Sequence, residues 1–260
     1  MKIKIYQVDA FTNKLFSGNP AAVCPLEEWL PEEKMQCIAT ENNLSETAFF
    51  VRKGDRFHIR WFTPALEVDL CGHATLASAH VIFNHLNYAG DEIKFDSKSG
   101  ILKVRKEGNM LLLNFPTDEF KEVLAPEALV AGFGKEPMET HKGKWDYLLV
   151  FGSQKEIENL DPNFFLLRKA NVRGIIVTAK GSKVDFVSRF FAPRSGVPED
   201  PVTGSSHTTL IPYWAQKLGK KELTAKQLSK RRGKLKCRLL GERVEIGGEA
   251  VTYMIGEIEI

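Results

Sequence analysis

Two stretches of the chain place a glycine among polar residues just before a segment of helical length. They read Cys71-Gly72-His73 and Thr203-Gly204-Ser205-Ser206-His207. Glycine lets the backbone approach a ligand closely, and the free N–H groups and dipole of a helix N-terminus favour an anion. A tight turn capped by serine or threonine would have the same local sequence. Because the motif occurs twice, we predict a site that binds a carboxylate-bearing substrate.

Glu46 is the carboxylate with the most unusual surroundings. It lies in Leu44-Ser45-Glu46-Thr47-Ala48-Phe49-Phe50, at the start of an otherwise apolar strand. It is either a solvent-facing edge residue or a partly buried general acid/base whose pKa desolvation raises towards the working pH. From these residues alone, the edge position is favoured.

Three other residues carry little information in isolation. Asp200 precedes Pro201 in a typical turn sequence, and His73 is most simply a buried polar residue. His73 and His80 share a helix face, but neither has a partner at the i+4 spacing of a metal site, so no metal is predicted. The chain also lacks GxGxxG, GxxxxGK[ST] and GxSxG motifs. Nucleotide, flavin and α/β-hydrolase sites are therefore not predicted.

An internal repeat determines how these residues are positioned. The segment from Arg60 to Pro64 (RWFTP) is matched by the segment from Arg189 to Pro193 (RFFAP), and GILKVRKEGNMLLL from Gly100 by GKLKCRLLGERVEI from Gly233. The offsets are 189−60 = 129 and 233−100 = 133, which indicates one duplicated unit of about 130 residues. We expect two pseudo-symmetric halves, residues 1–120 and 121–260, with the ligand site in the cleft between them. The C-terminal strand is a candidate for packing back on the first half.

Each half is predicted to be a mixed β barrel-like sheet wrapped around one buried helix, which gives an α+β fold. The helices are predicted over 74–83 and 208–218, because both segments are apolar or small nearly all round. Residues 17–20 are predicted as a loop. Residues 217–238 hold ten Lys or Arg and one acid, and we predict a solvated helix-and-turn face there. A nucleic-acid patch would interleave aromatic residues with the basic ones.

Composition places the chain among ordinary globular proteins. It has 43% hydrophobic and 27% charged residues and a net charge of +3, which is too small to indicate nucleic-acid binding. No apolar run is long enough for a membrane helix. The four cysteines form no CxxC pair, and the first residues alternate like a strand without a signal-peptide core. We predict a cytoplasmic protein with no nucleic-acid or membrane partner.

The chain resembles the PhzF family of phenazine-biosynthesis-like isomerases, whose fold is similar to that of diaminopimelate epimerase. The resemblance is carried by VDAFTNKLFSGNPAAV, LSETAFF, FTPALEVDLCGHATLASAHVIF and RFFAPRSGVPEDPVTGSSH. These stretches run from about residue 6 to 210 in family order, so the similarity covers essentially the whole chain.

The resemblance implies a cofactor-independent, metal-free isomerase, which is expected to be a homodimer and to act on a small anionic substrate. The family's general acid/base glutamate corresponds to Glu46, and its histidine, aspartate and serine correspond to His73, Asp200 and Ser205. The candidate catalytic residues are therefore Glu46, His73 and Asp200. The candidate substrate-binding residues are Asn19, Gly72, Gly204, Ser205 and Ser206.

One position departs from the related epimerases, which use two thiols on opposite faces of the substrate. Here Cys71 precedes the first glycine, but Thr203 precedes the second, and a threonine hydroxyl is too weak an acid–base group for symmetric epimerisation. Two alternatives stay open beside the Glu46 isomerase. One is a thiol-dependent relative of amino-acid racemases or dehydratases that uses Cys71, and the other is a non-catalytic binding protein of the same fold.

Overall fold

A computed structural model describes residues 1–260 as two compact units. Unit 1 comprises Met1–Phe115 and Ile246–Ile260, and unit 2 comprises Pro116–Glu245. The first boundary between the units lies after Phe115, five residues before the boundary expected from the sequence, which lies after residue 120. The C-terminal strand belongs to unit 1. No helix is both long and apolar enough to cross a membrane.

Unit 1 consists of a mixed sheet and two helices. The strands are β1 (Lys2–Ala10), β2 (Asn19–Leu26), β3 (Glu46–Lys53), β4 (Arg56–Phe62), β5 (Glu67–Val68), β6 (Glu92–Ser97), β7 (Gly100–Glu107), β8 (Met110–Pro116) and the last strand, β18 (Ala250–Glu259). The helices are α1 (Glu32–Asn42) and α2 (Gly72–His85). Two acids in the first turn of α1 favour its start, and Asn43, at φ +48°, ends it in the left-handed region.

Unit 2 has a similar composition of elements. The strands are β9 (Phe120–Glu122), β10 (Glu139–Gly143), β11 (Asp146–Val150), β12 (Gly174–Lys180), β13 (Phe186–Ala192), β14 (Val197–Asp200), β15 (Glu222–Gln227) and β16 (Gly233–Leu240). The helices are α3 (Glu127–Phe133), α4 (Gln154–Asn159), α5 (Phe164–Leu167) and α6 (His207–Leu218), with a 3-10 turn at Pro193–Ser195. Strand β17 (Arg243–Gly248) contains the boundary between the units.

The two units repeat one pattern of strand pairing. In unit 1, β2 is antiparallel to β1 and parallel to β3, and β4 is antiparallel to β3 and parallel to β6. In unit 2, β11 is antiparallel to β10 and parallel to β12, and β13 is antiparallel to β12 and parallel to β15. The prediction of an α+β fold with two similar halves is confirmed.

A buried helix lies at the same place in each order of elements. Ten of the fourteen residues of α2 are buried, and it packs on β1, β2 and β3. Helix α6 buries its apolar face and packs on β15 and β16. Both helices begin within a glycine motif, at Gly72 and at His207, so the motif residues lie at the ends of elements that the core fixes in place.

The arginines of the repeated RxFxP sequence have equivalent ion pairs. On β4, Arg60 Nε and Nη2 donate to the two carboxylate oxygens of Glu67 at 2.7 and 2.8 Å. On β13, Arg189 Nε and Nη2 donate to those of Glu199 at 2.7 and 3.1 Å. Bidentate pairs fix orientation as well as distance. Each therefore holds the chain that leads into the glycine motif against the sheet.

Two sequence expectations are wrong. Residues 17–20 are not all loop, because β2 begins at Asn19, and Pro20 is tolerated because it lies at the start of the strand. Residues 217–238 contain β15 and part of β16 rather than only helix and turn. In β16 the exposed Lys234 and Lys236 alternate with the buried Leu235 and Cys237, which is the period of a strand with one buried face.

Candidate functional site

Glu46 is the first residue of β3, where that strand pairs in parallel with β2 opposite Ala21. Its side chain is 19% exposed, and the five residues that follow it are buried. The carboxylate therefore lies at the mouth of an apolar strand. It is half-buried, and it is not a fully solvated edge residue.

His73 lies close to Glu46 although it comes from a different element. It is the second residue of α2, and its side chain is 6% exposed. Its Nε2 lies 3.2 Å from Glu46 Oε2, but the two atoms are not aligned for a hydrogen bond. On the other side of the ring, Nδ1 lies 3.1 Å from Asn19 Nδ2 and 3.5 Å from Cys71 Sγ.

The protonation state of His73 follows from these neighbours. Burial lowers the pKa of His73 to about 3, so the imidazole is neutral near pH 7. An amide nitrogen is only a donor, so with Asn19 Nδ2 facing it, Nδ1 is the acceptor. The single ring proton then resides on Nε2, the atom that faces Glu46. Asn19 is itself fully buried, and it contacts the histidine directly.

Glu46, Cys71 and His73 have ligand atoms within 4.8 Å of one another, which raises the question of a metal site. Cys71 approaches Nδ1 of the ring, whereas Glu46 approaches Nε2. A single ion bonds to only one ring nitrogen. The shortest contacts of Cys71 and Glu46 are therefore with opposite nitrogens of the ring.

Asp200 and Thr203 form the centre of a second cluster, in unit 2. Thr203 Oγ1 donates to Asp200 Oδ2 at 2.5 Å. The fully buried Gln227 holds the loop that carries both residues: its Oε1 accepts from Thr203 N at 2.9 Å, and its Nε2 donates to the Asp200 carbonyl at 2.8 Å. The orientation of the Asp200 carboxylate is thus determined by a threonine hydroxyl and by a clamped loop.

The polar residues after Gly204 have different environments. Ser206 is buried, and its hydroxyl donates to the Thr203 carbonyl at 2.8 Å. His207 Nδ1 lies 2.8 Å from the same carbonyl, and its ring is buried against Phe186. Ser205 is half-buried, and its Oγ lies 3.4 Å from Arg173 Nη2. Of the two serines, only Ser205 has a partly exposed side chain.

The positions before the two glycines differ in their contacts as well as in their chemistry. Cys71 is buried and contacts a histidine ring, whereas Thr203 is buried and contacts a carboxylate. Among the predicted residues, the structure brings Asn19, Glu46 and His73 together in unit 1, with Gly72 beginning α2 beside them. In unit 2 it brings Asp200 into contact with Thr203, next to Gly204.

Two functional candidates were missed by the sequence analysis. Gln227 lies in the lysine-rich stretch, and only the parallel pairing of β15 with β13 brings it to the Asp200 loop. Arg173 makes a two-point ion pair with the buried Asp146, through the parallel pairing of β12 with β11. Neither pair has a local sequence signal, because each depends on strand register between distant segments.

Comparison with known proteins agrees with this architecture. The family model described as phenazine biosynthesis-like protein (PhzC-PhzF) matches residues 8–256. Two proteins of Pseudomonas aeruginosa, each named an uncharacterized isomerase, are 49% and 52% identical over the full length of both chains. A phenazine biosynthesis-like domain-containing protein of mouse is 43% identical over 99% of each chain.

Solved structures give the same result. A PhzF family protein of Enterococcus faecalis has a TM-score of 0.98 at 44% identity and covers all of both chains. A PhzC/PhzF protein of Clostridium difficile has a TM-score of 0.94 at 46% identity, over 99% of this chain and all of the other. A probable proline racemase of Agrobacterium radiobacter, at 8% identity and a TM-score of 0.65, shares the fold alone. The chain therefore belongs to the PhzF family of phenazine biosynthesis-like proteins, within which related proteins are named isomerases.

Proposed function

We propose that this protein is an isomerase that relocates a proton on a small carboxylate-bearing substrate, with Glu46 as the general acid/base. The observation that carries the proposal is the placement of a half-buried carboxylate 3.2 Å from a buried, neutral histidine. A half-buried carboxylate beside a neutral donor has the geometry of a general acid/base. The names of the isomerase relatives support the reaction class.

The proposed step is balanced without any oxidant or reductant. A C–H proton of the substrate passes to the Glu46 carboxylate, and the electron pair of that bond enters the conjugated system next to the substrate's carboxylate. The protonated Glu46 then returns the proton to a different carbon, and the double bond shifts. The product is an isomer, with the same atoms and electrons, so the proposal requires no cofactor.

His73 is proposed to position Glu46 and to stabilise its charged form. With its ring proton on Nε2, His73 is a neutral donor that strengthens its contact with the carboxylate when a ligand tightens the site. Asn19 would keep the proton on that nitrogen by donating to Nδ1. A neutral imidazole stabilises the carboxylate less than a cation would.

The residues of unit 2 are proposed to contribute to the same reaction. Asp200 would stabilise the proton transfer, and Ser205 would bind the substrate. The N–H groups at Gly72 and Gly204 would bind its carboxylate, as helix N-termini commonly do. A cytoplasmic location and a homodimer remain part of the proposal. They are supported by the free cysteines and by the family resemblance, respectively.

Proton exchange in heavy water tests this proposal. The protein is incubated with amino acids, hydroxy acids and cyclic dienyl carboxylates, and each compound is followed by proton NMR. We expect deuterium to enter a C–H position of one compound, or its isomer to appear, with the wild type but not with Glu46→Gln. Glu41→Gln, on the exposed end of α1, is the matched control and should behave as the wild type. Exchange that is equal in Glu46→Gln and the wild type would contradict the proposal.

A thiol enzyme is the second candidate, and one contact favours it. Cys71 Sγ lies 3.5 Å from His73 Nδ1, which is the geometry of a thiol beside a base. That nitrogen also accepts from Asn19, so it is shared between two neighbours. If no compound of a broad panel shows exchange or isomerisation, the third possibility, a binding protein of this fold, would be favoured.

A further inference from the structure

A solvent-open cavity of about 480 Å³ lies in unit 2, and its walls are strongly basic. It is lined by Lys142, Lys144, Arg173 and Arg194, together with Trp145, Asn171, Val172 and Ser195. The volume lies within the range of small-molecule sites. We propose that this cavity, here named the basic pocket, binds a small organic oxyanion, a carboxylate or a phosphate monoester, that carries a planar ring.

A two-point ion pair with a buried carboxylate fixes the Arg173 side chain in the pocket. Its Nε donates to Asp146 Oδ1 at 3.0 Å and its Nη2 to Asp146 Oδ2 at 2.5 Å, and Asp146 is only 4% exposed. Burial raises the pKa of Asp146 above its usual range, so the charged form of this carboxyl is costly to bury. Because a buried ion pair adds little stability by itself, its natural use is to fix the direction of the guanidinium.

The backbone is adapted to this ion pair. A Cβ at Gly174 would lie 2.2 Å from the Phe190 ring and 2.8 Å from Asp146 Oδ1, so only glycine fits between them. Arg173 also reaches towards the candidate site residue Ser205, at 3.4 Å. The side chain is still 43% exposed, which leaves donor positions for a ligand.

The other cations of the pocket lack a direct ion-pair partner. Arg194 Nη1 donates to Asn171 Oδ1, a neutral acceptor, so its orientation is fixed and its charge is retained. Lys142 and Lys144 make no salt bridge within 4.0 Å. Burial lowers the pKa of Lys142, although the nearby Asp146 and Asp118 carboxylates act in the opposite direction. Four cations therefore face one cavity, with Asp146 as the only direct ion-pair partner and the Asp118 carboxylate nearby, and an oxyanion would compensate the remaining positive charge.

Trp145 supplies the apolar contact of the proposed ligand. Its ring is 56% exposed at the pocket, and the Lys144 ammonium group lies 5.0 Å from the ring centroid. An indole beside cations favours a planar ring with an oxyanion substituent, because the ring stacks while the charge pairs.

The position of the pocket in the repeat supports a ligand site. Strand β12 begins at Gly174 opposite Asp146, as β3 begins at Glu46 opposite Ala21. Arg173 therefore lies just before the strand start that is equivalent to the one carrying Glu46. Chemically distinctive side chains therefore lie at this strand end in both units. The proposal stands on unit 2 alone and holds whether or not Glu46 is catalytic.

Calorimetric titration at constant ionic strength tests the proposal, with phenyl phosphate, benzoate and inorganic phosphate as probes. We expect saturable binding at one site per chain, with phenyl phosphate or benzoate at least 5-fold tighter than inorganic phosphate. The tighter of the two ring-bearing probes identifies the kind of oxyanion. Lys144→Gln and Arg194→Gln should each weaken binding at least 5-fold, and Trp145→Ala should remove the preference for the ring.

Lys183→Gln, which removes one exposed charge elsewhere in unit 2, is the matched control and should bind as the wild type does. Arg173→Gln alone would leave Asp146 buried without its ion pair, so it is tested as Arg173→Gln/Asp146→Asn, which should also weaken binding. Circular dichroism confirms that each variant is folded. Absence of saturable binding, or equal weakening by Lys183→Gln and Arg194→Gln, would overturn the proposal.

Discussion

Glu46 and His73 meet at 3.2 Å, Oε2 to Nε2, although one begins a strand and the other begins a helix. The opposite ring nitrogen of His73 faces Asn19, which fixes the ring's single proton on the side of the glutamate. The relationship is a neutral donor beside a half-buried carboxylate. These two side chains form the proposed acid–base pair.

Replacement of Cys71 by serine is expected to leave activity within about 3-fold of the wild type, a change of about 0.6 kcal/mol in barrier. The serine hydroxyl can keep the contact that Cys71 Sγ makes with His73 Nδ1 at 3.5 Å. The rate of isomerisation, or of deuterium exchange, is the measurement. A loss of 100-fold or more with the protein folded would establish the thiol as the reactive group instead.

Gln227 is expected to stabilise unit 2 and to order the Asp200 loop. Gln227→Met removes the acceptor of the Thr203 N–H and one donor to the Asp200 carbonyl. Since each buried group that loses its partner costs about 1–3 kcal/mol, we expect the free energy of unfolding to fall by about 2–4 kcal/mol in urea denaturation.

The matched control for this prediction is Gln36→Met in unit 1. Gln36 donates one hydrogen bond, to the Thr63 carbonyl, and it is only partly buried. It should cost about 1 kcal/mol. Equal losses in the two variants would show that the Gln227 clamp has no special role.

Two buried histidines and one half-buried histidine make the stability of the fold depend on pH. Burial lowers the pKa of His73 to about 3 and those of His80 and His207 to about 4. Their folded pKa values lie below the unfolded value near 6.5, so the unfolded chain binds more protons as the pH falls. The free energy of unfolding should therefore be fully present above about pH 6.5 and decrease towards pH 4, by about 1.4 kcal/mol per pH unit for each histidine.

His207→Gln tests this dependence, because the glutamine amide can still donate to the Thr203 carbonyl that His207 Nδ1 now contacts. Urea denaturation at pH 6 and pH 5 should show a slope smaller by about 1.4 kcal/mol per pH unit than that of the wild type. An unchanged slope would mean that His207 is protonated in the folded protein.

Local patterns predicted those elements whose burial is uniform or strictly alternating. The apolar run after Gly72 identified α2, and the repeat of Arg60 at Arg189 identified the duplicated architecture. Residues 217–238 were predicted as helix and turn because of their many lysines and arginines. The alternation of the buried Leu235 and Cys237 with exposed lysines is the pattern of a strand. The density of charged residues does not indicate secondary structure when a strand has one solvent-exposed face and one buried face.

The candidate site was predictable as a set of residues but not as a set of contacts. Glu46 and His73 were assigned through the family resemblance, whereas the protonation state of His73 depends on burial that no local sequence reports. Gln227 and Asp146 lie far along the chain from their partners, and only strand register brings them into contact. Contacts of this kind can be identified only in the folded structure.

Deuterium incorporation by Glu46 variants is the most direct test of the central claim. On the compound that the substrate panel identifies, the exchange rates of the wild type, Glu46→Gln and Cys71→Ser are compared in heavy water at equal folded concentration. The account predicts that Glu46→Gln lowers the rate by at least 1,000-fold, about 4 kcal/mol, while Cys71→Ser stays near the wild type. Exchange that persists in Glu46→Gln but is lost in Cys71→Ser would contradict it and assign the chemistry to the thiol.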